Sequence, residues 1–348
     1  MYEAREQEDI LSELQEYSTS DASKFEGTFD YDVLSSNSIE FAKIEAEMEQ
    51  AYKIAFADTS FGEYLTMRCA ESGIIRKNAV TAVGTVTVKG NGTLPAGSQF
   101  STTAGISFST STMAETVVRS STDVTVQATV SGSVGNVQAG TITVIPMSIP
   151  GITSVTNAEA MHDGYDEETD ENLLARYLIH VRTPGTSGNV YHYLEWATGV
   201  AGVGGAKVLP TWNGPGTVKV IIVDSDYKAA SSTLVEKVKS YIESVRPVGA
   251  IVTVVSAETK VINIAANASG SYDIDAFKTS VQDYFISLEK RIIVSATADG
   301  TTVSLAKIGS LLLDAGADDY TDLQLNSGTS NISIANSEIA TLGTVTLT

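Results

Sequence analysis

Three histidines and one cysteine are the scarce residues of this 348-residue chain, and any chemistry would have to start from them. His162 stands beside Asp163 and Asp166, a grouping that would suit a metal ligand or an acid/base pair. It has no HxH, HExxH or cysteine partner, and the neighbouring carboxylates are better used as N-terminal charges of the helix that follows, so His162 reads as a surface residue. His180 and His192 fall in helical segments beside aromatic and aliphatic positions and read as partly buried, hydrogen-bonded side chains. Cys69 lies near a helix end among apolar neighbours. A thiolate nucleophile needs a helix N-terminus or a base, so Cys69 reads as a small buried hydrophobe. GVGGAK and WNGPGTVK are glycine-rich, yet neither spells GxxxxGK[ST], nor GxGxxG between a strand and a helix. DAGADDYTD carries three carboxylates in five residues without the alternating spacing of a calcium loop. The expectation is a chain with no enzyme activity, no cofactor and no metal, although a site assembled from distant residues would leave no such trace.

Composition narrows the class further. Hydrophobic residues make up 43% and charged residues only 18%, with Ser, Thr, Gly and Ala filling the difference, and the single cysteine excludes an internal disulfide. A net charge of −20 argues against a nucleic-acid partner, since no basic patch is visible to overcome the global field. No apolar run approaches 18 residues and the chain begins MYEAREQEDI, so neither a membrane span nor a signal peptide is expected, and synthesis in a cytoplasm is. The charge is unevenly spread: −10 over residues 1–77, zero on only four charges over 78–157, −4 over 158–256 and −6 over 257–348.

These zones match changes of hydrophobic period, and they predict an α+β multidomain chain: N-terminal helices, a small all-β domain, and two layered α/β or α+β domains. Residues 1–77 read as an arm with helices for packing or oligomerisation. One helix is expected to open at Asn37, with Glu40 completing a capping box and Ile44, Met48, Ala51 and Ala55 forming an apolar stripe. Another is expected from Ser60 through Leu65 and Cys69 to Gly73. Two such helices cannot close a core, so they pack on the rest of the chain or on another subunit. Residues 78–157 read as a small antiparallel β domain. DVTVQATVSG alternates Val124, Val126, Ala128 and Val130 against Thr and Gln, and GTVTVKGNGT suggests a strand followed by a Gly/Asn turn. That neutral module suits burial in an assembly or a peripheral position equally. Residues 158–256 give a central α/β domain, with Asp166 to Glu171 before or within the first turn of a helix, then strand, strand, a helix with Leu234, Val238, Tyr241, Ile242 and Val245 on one side, and strand. Residues 257–348 give a C-terminal α+β domain, with fusion to the central one as the alternative.

By the third zone the order of short motifs becomes specific. GEYLTMRCAESGIIRKNAVTAVGTVTV, LPAGSQF, VSGSVGNVQAGTI, VTNAEAMHDGYDEETDENLLARY, YHYLEWATGVAGVGGAKVLPTWNGPGTVKVII, VKSYIESVRPVGAIVTVV and LGTVTLT together resemble the baseplate J-like family of contractile phage tails, tail-like bacteriocins and related injection systems. The resemblance is strong over about residues 60–260 and weaker elsewhere. It implies a structural wedge subunit in a ring around a central hub and spike, one that helps trigger sheath contraction. The implied partners are a second copy within the wedge, a smaller wedge protein, neighbouring wedges and sheath-proximal baseplate proteins. No catalytic residue is carried over. Among matched positions, Gly62, Gly73, Gly188, Gly205 and Gly249 would permit helix ends and close approaches, Tyr193 and Trp196 would anchor a helix, and Arg246 with Pro247 would end one. Tyr64 and Leu65 belong to the same set; each of these residues serves either the fold or a subunit contact. The rival readings are a tail-associated peptidoglycan- or glycan-degrading enzyme, which needs carboxylates about 5–10 Å apart across a cleft, and a receptor-binding adhesin, which should expose aromatics on β loops.

Overall fold

The computed structural model describes residues 2–110, 116–183, 185–293 and 300–348; Glu115, one of the four charges of the neutral zone, lies outside them. The chain forms two compact units, one of residues 1–76 with 169–177 and one of residues 77–168 with 178–348.

The first unit is helical. α1 (Gln7–Tyr17) and α2 (Phe29–Ala55) form a hairpin: Ile10 is buried, Gln7 donates to the buried Ser38 hydroxyl at 3.0 Å, and the Ala4 N–H reaches Glu49 at 3.0 Å. Arg5 bridges Glu13 and Glu45, which holds the Glu45 carboxyl down at about 2. The helix expected from Asn37 begins eight residues earlier. Thr28 caps it by accepting from the Tyr31 N–H, Asp30 and Asp32 fill the first turn, and the Asn37 amide donates back to the Val33 carbonyl inside the helix. Asn37–Glu40 therefore mimics a capping box in sequence while the true start, Thr28, lies in a segment that reads as a turn. α3 (Gly62–Ala70) likewise starts later than Ser60 predicts and has no local side-chain cap. Its Leu65 and Cys69 form a small core with Ile74 and with Leu173 from the start of α4 (Asp170–Arg182).

The second unit opens with six strands in the order β5-β2-β3-β4-β1-β6, every neighbouring pair antiparallel, curled into a nearly closed barrel. They are β1 (Thr81–Leu94), β2 (Gln99–Thr102), β3 (Ser107–Thr110), β4 (Thr116–Ser131), β5 (Ile142–Val144) and β6 (Ile152–Thr156). Phe100, Phe108, Val86, Val88 and Ile142 fill the interior, and Val124, Val126 and Ala128 point inward as the alternation predicts, although Val130 emerges at 62% exposure near the strand end. The Gly/Asn segment does not turn. β1 runs straight through it with a bulge between Lys89 and Gly90, where Gly90 takes φ +137° and a Cβ would lie 2.1 Å from the Gly151 carbonyl oxygen. Glycine here serves the close approach of another strand, which a turn signal imitates.

The central sheet, β7 (Val203–Pro210), β8 (Thr217–Asp224) and β9 (Ile251–Ser256), pairs β7 antiparallel and β9 parallel to β8. α5 (Val190–Gly199) and α6 (Ser232–Val245) cover one face, meeting Ala206, Val208, Val220, Ile222 and Val254. On α6, Leu234, Val238 and Ile242 are buried, whereas Tyr241 and Val245, expected on the same side, are exposed because the helix touches the sheet along a narrow stripe. The C-terminal part has β10 (Glu258–Gly270) between β12 (Ala317–Leu325) and β14 (Glu338–Leu347), a β11 (Thr301–Val303)/β13 (Ile332–Ile334) pair, and α7 (Ile274–Ile293) and α8 (Leu305–Asp314) packed through Phe277, Val281, Phe285, Ile308 and Leu312.

Two barrel glycines make a paired test. Gly140 and Gly151 both have positive φ, +76° and +80°, but Gly140 faces open space while a Cβ at Gly151 would meet the Asn91 carbonyl oxygen at 2.0 Å. Gly140→Ala should cost about 1–2 kcal/mol, the left-handed penalty alone, and Gly151→Ala several kcal/mol more in urea unfolding. Equal losses would show that the close strand approach is not a constraint.

Candidate functional site

The segment joining the barrel to α4, residues 162–170, carries several carboxylates that accept hydrogen bonds. It runs beside the entry to β1 through bridges Val83–His162 and Val80–Tyr165, with the Asn136 side chain bonding both the N–H and the carbonyl of Gly164. Its carboxylates then reach separate elements. Asp163 is buried with φ +62°, and one of its oxygens accepts from the Tyr165 hydroxyl at 3.0 Å and from Ser231, the N-cap of α6, at 2.7 Å. Its other oxygen lies 3.0 Å from the half-exposed His162 ring. Burial pushes the Asp163 carboxyl up, but the hydrogen bonds from Ser231 and Tyr165 and the adjacent His162 outweigh it and leave the group below its ordinary value. Burial, then Asp163, push the Tyr165 hydroxyl well up. Asp166 accepts from the Ser133 N–H at 2.8 Å and the Ser133 hydroxyl at 2.7 Å, capping a single 3-10 turn at Ser133–Gly135. Glu168 is buried and accepts from the Lys77 N–H at 3.1 Å, while Lys77 Nζ donates to the Val203 carbonyl at 2.8 Å.

In the helical unit Asp170 plays the same part. It accepts from the Gly62 N–H at 2.7 Å and from Arg76 at 2.6 Å, supplying to α3 from 108 residues away the cap that Ser60 was expected to give. These bonds, the Gly62 N–H first, hold the Asp170 carboxyl below its usual range, as the Ser133 N–H does for Asp166. The acidic run is therefore not a set of helix-dipole charges: only Asp170 and Glu171 stand in the first turn of α4. His162 touches Asp163 alone within this group and lies at the surface.

The sequence-predicted residues fall into two sets. Gly62, Tyr64 and Leu65 lie on α3 in the helical unit: Gly62 has φ +54°, Leu65 is core, and Tyr64 is half exposed with an edge contact to Phe61. Tyr64 also lines a groove with Ala46, Glu47, Gln50, Ala51 and Ile54 of α2. The remainder lie in the central domain. Tyr193 is buried, Trp196 packs edge-on against it at 5.0 Å, and His192 lies 4.0 Å from the Trp196 ring. His180 pairs with Glu195 at 2.6 Å. Gly188 and Pro247 are brought together: with φ +73°, Gly188 leaves room for the proline ring, which a Cβ would meet at 2.4 Å. Arg246 ends α6, pairs with Glu243 at 2.7 Å and donates to the Ala250 carbonyl, closing a turn in which Gly249 has φ +88°. Gly205 is buried on β7 and pairs with Val223, directly after the bulge at Gly204.

One surface of the helical unit stands out. Along α2, Phe41, Ile44, Met48 and Tyr52 are each 43–52% exposed, with Glu40, Glu45, Glu47 and Glu49 interleaved. All four residues of the predicted stripe, Ile44, Met48, Ala51 and Ala55, lie exposed on α2, and Phe41 and Tyr52 widen the exposed surface. Among the described residues no group of three or more His, Cys, Asp or Glu could hold a metal ion, and no helix is long and apolar enough to cross a membrane.

With this geometry in hand, the comparisons place the fold. The Baseplate J-like protein barrel domain matches residues 79–164, the Baseplate J-like central domain 185–256, and the Baseplate J-like protein C-terminal domain 261–348. The phage-like element PBSX protein XkdT of Bacillus subtilis is 30% identical over 99% of this chain and 98% of its own length. The baseplate protein gp47 of Escherichia phage Mu is 33% identical over 47% of each chain. A chain of the anti-feeding prophage baseplate, solved by cryo-electron microscopy, aligns over 96% of this chain and 90% of that one, at 11% identity and a TM-score of 0.35. The chain belongs to the baseplate J-like family.

The depressed carboxylates set an acid limit. A group whose folded pKa lies below its unfolded value stabilises fully above the unfolded value and loses that contribution as pH falls through the folded one. Asp163, Asp166 and Asp170 should therefore make unfolding easier as pH drops below about 4, where unfolded aspartates begin to take up protons. Asp166→Ala should lower stability by ~1 kcal/mol at pH 7 and flatten part of the acid decline in a pH series of urea melts; an unchanged acid profile would remove Asp166 from the account.

Proposed function

We propose that this chain is a structural wedge subunit of a contractile tail or tail-like particle, set in the ring around the central hub and passing on the rearrangement that releases sheath contraction. The observation that carries the reading is the open α2 stripe in a chain whose barrel, central and C-terminal domains all belong to a baseplate family. A helix 27 residues long, with large apolar side chains left half exposed, is a surface for another helix. The partners this reading assigns to the face are a second copy of the chain and a smaller wedge protein, with neighbouring wedges, hub and sheath-proximal proteins contacted elsewhere. The interleaved glutamates select partners carrying Lys or Arg beside their apolar positions. The work is mechanical: the chain acts through several interfaces, without cofactor, and its place is the baseplate of a particle assembled in the bacterial host. Division into an N-terminal helical part, a barrel, a central and a C-terminal domain gives each interface its own surface.

Replacing Ile44 and Met48 together by glutamate tests this directly. Both side chains are exposed, so the purified chain should melt within a degree or two of wild type, while complementation of a deletion strain should yield at least tenfold fewer baseplate-capped particles with tube and sheath proteins still made. Normal numbers of contractile particles would overturn the assignment of this face.

A further inference from the structure

The central sheet is apolar on both sides, and its second side carries a charge. Ala206, Val208, Val220 and Ile222 alternate with Lys207, Leu209, Ile221 and Val223; the first set meets α5 and α6, and the second forms a seam with the C-terminal part. Ile221, Val223 and Leu209 pack there with Ala257 and Ile339, and Lys290 of α7 lies 5.5 Å from the ring centre of Tyr227 in the loop after β8. Lys207 is 6% exposed, and its Nζ donates to the Asn336 side chain, whose oxygen also accepts from the Gly300 N–H at 2.6 Å. From α7, Glu289 enters the same region at 3% exposure and accepts from the Ala340 N–H on β14 at 3.3 Å. A cation and a carboxyl are thus both buried where two domains meet.

We infer that this seam is a proton-controlled joint: with Glu289 protonated the C-terminal part is held tightly on the central sheet, and with Glu289 ionised the docking weakens. Burial, opposed by the Ala340 N–H and by the Lys207 charge, pushes the Glu289 carboxyl up to about 7. The sign follows. An acid whose folded pKa is raised holds its proton better when packed than when opened to water, so packing weakens as pH rises from about 4.5 to about 7 and stays weak above that. Among the described residues Lys207 on β7 is the charged group acting on Glu289; the Lys260–Glu338 pair, on β10 and at the start of β14, lies alongside and closes on itself at 3.1 Å.

Hydrogen exchange of the full chain at pH 6 and pH 8, corrected for the intrinsic pH dependence of exchange, reads the joint. With carboxyl values of about 7 packed and about 4.5 opened, the opening equilibrium at the Ala340 amide should rise about tenfold from pH 6 to pH 8, while amides of β4 in the barrel stay unchanged. Glu289→Gln should show the same protection at both pH values. Lys207→Met removes the charge that favours ionisation and should move the wild-type transition to higher pH. A wild-type chain with no pH dependence at Ala340, or a Glu289→Gln chain that keeps it, would overturn the inference. If Glu289→Gln fails to fold, the direction of the Lys207→Met shift decides.

Discussion

Four carboxylates within eight residues, Asp163, Asp166, Glu168 and Asp170, close off donors that no regular element satisfies. Each takes a group at the start of something: the α6 cap serine, the 3-10 turn after β4, the chain entering β1, the first N–H of α3. The Ser231 hydroxyl and the Lys77 N–H are partly buried, where an unpaired polar group costs about 1–3 kcal/mol, while the Ser133 and Gly62 donors lie at the surface and gain the smaller net worth of an exposed hydrogen bond. The segment works by hydrogen bonding more than by charge. Exposed ion pairs such as Lys43–Glu40 contribute about 0–1 kcal/mol, whereas these acids accept from fixed backbone and hydroxyl donors.

The same economy of charge shapes the rest. The barrel carries few ionic groups and is held by an interior of Phe, Val and Ile and by glycines that admit neighbouring backbone. The central sheet buries both faces, which explains the continuous apolar run Val220–Val223 in β8, since a sheet covered on both sides loses the polar half of its alternation. Lys207, buried on β7 where the sheet meets the C-terminal part, departs from that pattern.

How much of this was legible from the residues differs by element. Periodicity located the central and C-terminal strands and helices, because Leu234, Val238 and Ile242 or Phe277, Val281 and Phe285 repeat at helical spacing with no competing signal. Local punctuation misled in three places. Asn37–Glu40 spells a helix start inside a helix whose own cap, Thr28, stands earlier in the chain; Ser60–Glu63 spells one two residues early and the Gly-Asn pair spells a turn inside a strand, in both cases because the deciding contact comes from a distant part of the chain. Asp163, Asp166 and Glu168 read as helix charges for the same reason. Glu289 did leave a trace: continuing the inward series by four from Phe285 lands on it, a carboxyl on an apolar face.

A chain of this kind has its purpose in its neighbours. The account's central claim, that it forms a ring of wedges around the hub, is tested most directly by cryo-electron microscopy of the intact particle. The predicted result is density for this chain in the baseplate ring, paired within each wedge and with the α2 stripe covered by helices. Density placed in a distal fibre or in the central spike would contradict it.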